Sequence, residues 1–482
     1  MKRQIVIVGG GLGGLSAAIY ARLAGHSVLL LEQRETVGGK AAGIEQQGYR
    51  LDPGPSIIIL TRIYEAVFRA AGRRMADYLH FDRLDPISRV LMEGQPPLDL
   101  PSSRDGCLQV VRDVAREDAD EFARLMDNLD QVAPLIDASI FQHPYEHWWQ
   151  LADPKLIGTA MRFDVRKTYR EMVDAMFRSP LLRAFFYGFP SYGGQTYDSK
   201  APGALMIPYL MIQDGVWYPR GGVAAIPAAF ARLATELGGE IRTGARVTKV
   251  EVEKGRATGV WVGEERIPAD EVICNVDRLT VEHWLGTPQP AGLRPSLSYF
   301  TVHWGIRRRF TGLAHHTLVI PKNFERGFED LYRHRKMTPE PIVYLNDTTA
   351  TDPSAAPVGC TNLFAVVTSP ACEDHIDWES ESRQYVNDVL GVLAKADIHL
   401  DPAEIEFERI QNPRLFEARD GNYKGTLYGA DEKFRHLGGM FPLTNRHASI
   451  RNLYFCGGSV QPGAGLPMVT LSGKFAADII GK

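Results

Sequence analysis

The spacing of apolar and polar positions changes several times along this chain. Gln4–Val8 is a short apolar run that predicts a strand. Leu12–Leu23 is small and apolar on all sides, the texture of a buried helix, and Gly25 is placed to end it. Ser27–Leu31 is a second apolar run that closes in Glu32, so the chain opens as a βαβ unit. Residues 41–52 predict paired short strands, and Pro53-Gly54-Pro55 breaks them. From 63 to 213 charged and apolar residues mix at helical spacing. Tyr218-Pro-Arg-Gly-Gly222 predicts a turn and 224–237 a helix stopped by Gly238-Gly239. Residues 240–242, 247–252 and 271–275 predict strands. Strands and helices alternate from 296 to 422 without an assignable motif. Residues 453–456 predict a last strand and 467–480 a last helix.

The 482 residues exceed what one core usually holds, so two domains are expected. The fold class read from the pattern is α/β. A dinucleotide-binding domain is assembled from residues 1–75, 214–290 and 423–482. An α+β substrate-binding domain is inserted as 76–213 and 291–422, its helical part a candidate for membrane contact. Hydrophobic residues make up 44% of the chain, ample for both cores. The formal charge is −4 and no basic stripe appears, which argues against nucleic acid as a partner. Five scattered cysteines without a C-x-x-C pair favour a reduced, cytoplasmic compartment and argue against a structural metal. No stretch of about 18 apolar residues occurs, so no bilayer span is expected, while peripheral membrane contact stays open.

Gly9, Gly11 and Gly14 satisfy G-x-G-x-x-G, with Leu12 and Gly13 between them. Such a loop admits a pyrophosphate close to its backbone and to a helix N-terminus. Glu32 then ends the second strand, where a carboxylate accepts hydrogen bonds from ribose hydroxyls, with Gln33 beside it. Gly38-Gly39-Lys40 brings a cation toward a diphosphate. Leu51-Asp-Pro-Gly-Pro-Ser56 offers a rigid wall, in which Gly54, Pro55 and Ser56 would approach a flat ring. Near the other end, Gly457-Gly458 follows a strand, and a Pro/Gly turn leads into a helix at Pro467, Met468 and Val469. The positive end of that helix would stabilise charge gathered on a reduced flavin.

With these segments in hand, the chain resembles the bacterial-type phytoene (carotenoid) desaturase family of the FAD-dependent amine-oxidase-like superfamily. The resemblance also rests on Gly215-Val-Trp-Tyr-Pro-Arg-Gly-Gly222, Ala269-Asp-Glu-Val-Ile-Cys-Asn275 and Leu313-Ala-His-His-Thr317. It implies FAD as cofactor, a Val247 backbone that cradles the adenine, and Gly458 and 467–469 near the flavin. Val460 departs from the family signature, which favours Thr or Ala there.

The implied chemistry is desaturation of a long apolar isoprenoid, a phytoene-like precursor, by hydride transfer to flavin N5 and loss of a neighbouring proton. The cofactor carries the hard step. Oxygen or a quinone would accept the electrons, and the enzyme would sit in the cytoplasm against a membrane surface. Isomerase, ketolase or saturase action is the alternative, and a flavin amine oxidase or a non-enzymatic prenyl-lipid escort protein follows behind. Asp164 and Arg166 are loose candidates for acid–base work, set against a reading as solvated charges. Aromatics from Phe141 to Tyr192, Trp148 and Trp149 among them, would line a tunnel or simply build core. His315 and His316 are expected to point to opposite faces of a strand and so not to share a metal.

Overall fold

A computed structural model describes residues 2–147, 150, 158, 163–164, 166–288, 292–373, 375–430 and 443–480. Trp148 and Trp149 lie outside the described residues. Two sheets organise the chain. Their strands, in chain order, are β1 (Gln4–Val8), β2 (Ser27–Leu31), β3 (Ser88–Met92), β4 (Leu98–Leu100), β5 (Glu240–Arg242) and β6 (Glu271–Cys274). Then follow β7 (Ser298–Ile306), β8 (His316–Ile320), β9 (Val343–Asp347), β10 (Thr361–Ser369), β11 (Ile405–Gln411) and β12 (Leu453–Phe455). Four helices matter most below: α1 (Leu12–Leu23), α2 (Ala225–Glu236), α3 (Trp378–Lys395) and α4 (Leu466–Asp478).

The first sheet is parallel throughout, in the order β12-β6-β1-β2-β5. Its strands come from the two ends and the middle of the chain, as the pattern predicted. β1 is buried on both faces after its first residue, which is why it reads as an unbroken apolar run. α1, α2 and α4 share one hydrophobic core with it. The Ser16 hydroxyl donates to the Thr470 carbonyl (2.6 Å) and helps seat α4 on α1.

The second sheet has seven strands, ordered β11-β7-β10-β9-β8-β3-β4. All its pairs are antiparallel except β3 with β8. Its two faces differ in character. Phe300, Val302, Trp304, Val343, Leu345, Leu363 and Ala365 face α3 and close a core with Trp378, Tyr385 and Val389. The opposite face carries two rows fixed by register. One runs Arg409–His303–Phe364–Asn346–His316, and the next runs Gln411–Thr301–Val366–Tyr344–Leu318. Directly opposed residues share a face, so both rows look the same way.

The helical expectation for 63–213 holds for Arg104–Val114, Ala119–Ser139, Tyr169–Met176, Pro180–Tyr187 and Met206–Gln213. It fails for β3, β4 and the short strand Phe81–Arg83. These are brief segments: β4 pairs with the adjacent β3, while β3 pairs with the remote β8 and Phe81–Arg83 with the remote Trp217–Pro219. Local spacing carries no trace of such pairing. The aromatics Tyr169, Phe177, Phe185, Phe186, Tyr187 and Phe189 build a core with these helices.

Candidate flavin and substrate site

The site forms where the parallel sheet, the residues 51–58 segment and the second sheet meet. Its first wall is the opening loop. Helix α1 begins after Gly11 with no side-chain cap and no acidic residue in its first turn, so its N–H groups stay free for an anion. Glu32 is buried, and its carboxylate accepts from the N–H of Gly10 (2.7 Å) and of Arg34 (2.9 Å). It therefore ties the loop to the second strand. The Ala245 N–H donates to the Glu32 carbonyl (2.8 Å), which brings 245–247 to the same edge, and Val247 is buried there. Gln33 stands further out and donates to the Arg419 carbonyl.

The second wall comes from the far end of the chain. Helix α4 also starts bare: Gly465 precedes it at φ 103°, with neither a cap nor an acid in the first turn. Gly457 and Gly458 follow β12 into partly open space, and Met468 and Val469 sit on the first turn of α4. Two uncapped helix N-termini facing one cleft suit a cofactor with a diphosphate and an electron-accepting ring.

Asn275 joins these two walls, and it is absent from the cofactor residues expected above. Its Nδ2 donates to the Gly9 carbonyl (3.3 Å), and its Oδ1 accepts from the Cys456 thiol (3.6 Å). A side chain added at Gly13 or at Gly457 would run into the same amide oxygen. The signal was available, because Asn275 ends a strand beside the glycine loop and a polar residue there needs partners.

The third wall is 51–58. Gly54 is expected to clear space for a ring. What crowds it in the structure is the backbone of Lys40 instead, so this glycine couples two cofactor segments. Lys40 is expected to reach a diphosphate, yet its ammonium donates to the Leu427 carbonyl (2.9 Å). Burial lowers its pKa, and Asp420 and Asp277 act in the opposite direction. Asp52 is buried and accepts from the Val223 N–H (2.9 Å), while the Trp217 N–H donates to the Ile58 carbonyl (2.9 Å). The 51–56 and 215–222 motifs thus meet in space. Pro55 and Ser56 are partly open, and the Ser56 hydroxyl bonds the Tyr344 phenol (2.7 Å).

The chain matches the flavin containing amine oxidoreductase family model over residues 12–481. The chain belongs to that family. It is an FAD-dependent oxidoreductase, with the fold to match. It is 31% identical to the 4,4'-diapolycopene oxygenase of a Methylomonas species over 99% of this chain and 98% of that one. It is 30% identical to a 4,4'-diaponeurosporene oxygenase of Staphylococcus aureus over 100% and 98%. Among solved structures, an oxidoreductase from Methanosarcina mazei superposes with TM-score 0.64 at 16% identity, covering 98% of both chains. A putrescine oxidase superposes with TM-score 0.60 at 16% identity over the full length of both. At these identities the two structures speak for the fold.

The family's cofactor fits the residues present. The bare starts of α1 and α4, the Glu32 carboxylate and the glycine approach at 457–458 are what a bound FAD requires on its phosphate, ribose and ring sides. Beyond the flavin elements stands a group of tyrosines. Tyr192 keeps 37% of its surface accessible, yet burial pushes its phenol well above the ordinary range. Tyr299, Tyr332 and Tyr344 are likewise partly accessible and raised by burial. The Tyr299 and Tyr428 hydroxyls bond each other (3.2 Å), and among the described residues the buried Tyr332 hydroxyl has no partner. Ile57, Ile59, Leu318, Ile342, Met468 and Leu471 are partly buried and pack against the same core as the helical aromatics.

Two expectations need correction. Asp164 and Arg166 bond each other (2.9 Å) in a turn where the Arg166 side chain is 88% exposed, and among the described residues no contact joins them to the cofactor walls. The arginine holds the Asp164 carboxyl below its usual range, the state of a surface ion pair rather than of a poised acid. His315 and His316 do not diverge. Their rings meet edge to face at 4.6 Å, because His315 precedes the strand and escapes its alternation. They still share no metal cluster among the described residues.

Proposed function

We propose that this flavoenzyme oxidises an acyclic carotenoid-type polyene at an allylic carbon. The observation that carries the reading is that Ile57, Ile59, Leu318, Ile342, Met468 and Leu471 are partly buried and pack against one apolar core, with Met468 on the first turn of α4. Such surroundings suit a hydrocarbon better than a charged amine. The relatives' names support the same substrate class.

When bound, FAD supplies a hydride acceptor. The chain's part is to hold the polyene against it, exclude water and take up a proton. The developing allylic cation spreads over neighbouring double bonds, and aromatic faces such as those of the partly accessible Tyr192, Tyr299 and Tyr344 would stabilise it. Its fate separates two readings. Capture of one water, with loss of a proton, gives an oxygenated polyene, as the relatives' names suggest. Loss of a proton from the adjacent carbon gives a further double bond. We favour oxygenation and keep desaturation as the second reading. Oxygen or a quinone as electron acceptor, peripheral contact with a membrane surface, and the division into two discontinuous domains belong to the same proposal. No helix among the described residues is long and apolar enough to cross a membrane.

The test is anaerobic mixing of holoenzyme with acyclic carotenoids in liposomes, followed by aeration and mass analysis. Flavin bleaching with a product heavier by one oxygen supports oxygenation, and a product lighter by two hydrogens supports desaturation. No bleaching with any polyene, with peroxide release from amines, would replace the substrate class.

A further inference from the structure

The flavin-side wall holds a polar chain that an apolar substrate does not need for binding. The Tyr344 phenol oxygen lies 2.7 Å from Ser56 Oγ and 2.6 Å from His316 Nδ1. Its direction follows from the neighbours. The His315 carbonyl only accepts, so the atom of Asn346 facing it at 3.2 Å is the amide nitrogen. The Asn346 amide oxygen in turn accepts from Thr348 Oγ1 (2.9 Å). With its amide oriented this way, Asn346 Nδ2 also faces His316 Nδ1 at 3.4 Å. Two donors would clash there, so Nδ1 is an acceptor and the ring proton sits on Nε2. Tyr344 must then donate to Nδ1, and Ser56 must donate to Tyr344.

Among the described residues His316 Nε2 is buried with no partner. An orphaned donor of this kind calls for an explanation. Burial, with His315 beside it, drives the His316 pKa well below its ordinary value, so the imidazole is neutral at rest and only a strongly acidic proton can charge it. No carboxylate is bonded to this chain among the described residues. Ser56 and Tyr344 both have accessible surface, while His316 is closed off behind them.

We propose that Ser56, Tyr344 and His316 form a proton relay from the reacting carbon to His316 Nδ1. The inference rests on the oxidation proposed above. A substrate C–H bond breaks and its electron pair leaves as hydride to FAD, so substrate is oxidised and cofactor reduced. As that bond breaks, a proton leaves the captured water or the adjacent carbon for Ser56 Oγ, so a blocked relay also slows hydride loss. Ser56 passes its own proton to Tyr344, and Tyr344 passes its own to His316 Nδ1. The imidazole becomes imidazolium, and the new C–O or C=C bond keeps the electron pair. A proton next to a carbocation is acidic enough for neutral imidazole to take.

The test has three parts. In holoprotein labelled with 15N-histidine, the His316 Nδ1 signal should be that of an unprotonated, hydrogen-bonded nitrogen, and Tyr344→Phe should shift it. This needs no substrate, and an Nδ1–H tautomer overturns the relay. Tyr344→Phe should retain FAD and slow anaerobic flavin bleaching by about 10²–10³-fold, within the range of acid–base catalysis. Bleaching at the wild-type rate also overturns it. His316→Gly should be slow and recover in part with added imidazole. A flavin-loaded His316→Gly enzyme that imidazole leaves unchanged makes the histidine structural and sinks the relay. If no polyene bleaches the wild-type enzyme, the substrate reading fails, and the tautomer still decides the direction of the chain.

Discussion

The carbonyl oxygen of Lys40 occupies the place where a side chain at residue 54 would project, and an ideal Cβ built on Gly54 lies 1.8 Å from it. Gly54→Ala therefore cannot be absorbed by a rotamer change, because the obstacle is backbone. One of the two cofactor segments must move. Overpacking of this kind costs about 1–3 kcal/mol. Gly54→Ala should fold with a lowered Tm and purify with much less FAD. Full flavin content at wild-type Tm would show that the 53–56 loop is free to shift.

Asn275 presents its amide nitrogen to the Gly9 carbonyl beneath the bare start of α1. Asn275→Asp replaces that donor with an acceptor and sets a negative charge under the phosphates. Losing a hydrogen bond and facing two acceptors together should cost roughly 1–3 kcal/mol. FAD affinity should fall by about 10- to 100-fold. Asn275→Ala should fall less, since it adds no charge. Fluorescence titration of apoprotein with FAD checks this, and equal affinities for the two variants would remove the electrostatic part of the argument.

Asp52 gives a pH dependence with a defined sign. Burial raises its pKa from 3.8 to about 6, against the pull of the Val223 N–H and of Arg50. The folded carboxyl thus holds its proton more tightly than the unfolded one. Its contribution to stability is full below the unfolded value and is lost as pH rises through about 6. Asn at this position keeps the acceptor for Val223 and never ionises. The stability of Asp52→Asn relative to wild type should therefore rise between about pH 4 and pH 7, by on the order of 3 kcal/mol, since each tenfold change in proton affinity is worth about 1.4 kcal/mol. Parallel curves for the two proteins would mean that Asp52 is already ionised at the lower pH.

The parallel sheet was legible because each of its strands declares itself locally. β1 and β2 are apolar runs beside glycine turns, and β12 leads into the terminal motif. The second sheet was not, because β3 and β4 form a short hairpin that is held in the sheet only through β8, more than two hundred residues on. The cofactor site was legible as motif, but not as contact. Gly54 and Lys40 each point to the flavin in sequence, while the structure shows them meeting each other. Asn275 and Tyr344 escaped notice for a related reason. Neither lies in a glycine-rich loop, and each matters through partners remote in sequence, Gly9 for one and Ser56 for the other.

Two glycine-to-alanine substitutions in helices should move stability in opposite directions. Gly473 lies in α4 where that helix crosses α1, and an added Cβ would fall 2.1 Å from the Gly13 carbonyl oxygen and 2.7 Å from the Ala17 nitrogen. Gly473→Ala must push α4 away from α1. Both helices point their bare N-termini at the cofactor cleft, so the push changes the spacing between the phosphate and ring ends of the site. Lower Tm, by the equivalent of about 1–3 kcal/mol, and loss of FAD should appear together. Gly391 lies within α3, is exposed, and would meet nothing within 4 Å. There alanine only restricts the unfolded chain and improves helix propensity, worth about 0.5–1 kcal/mol. Gly391→Ala should raise Tm and leave flavin content unchanged. A thermal scan of both variants with and without added FAD settles the matter. If Gly473→Ala is as stable and as fully loaded as wild type, the close crossing of α1 and α4 is not what sets the spacing of the flavin site.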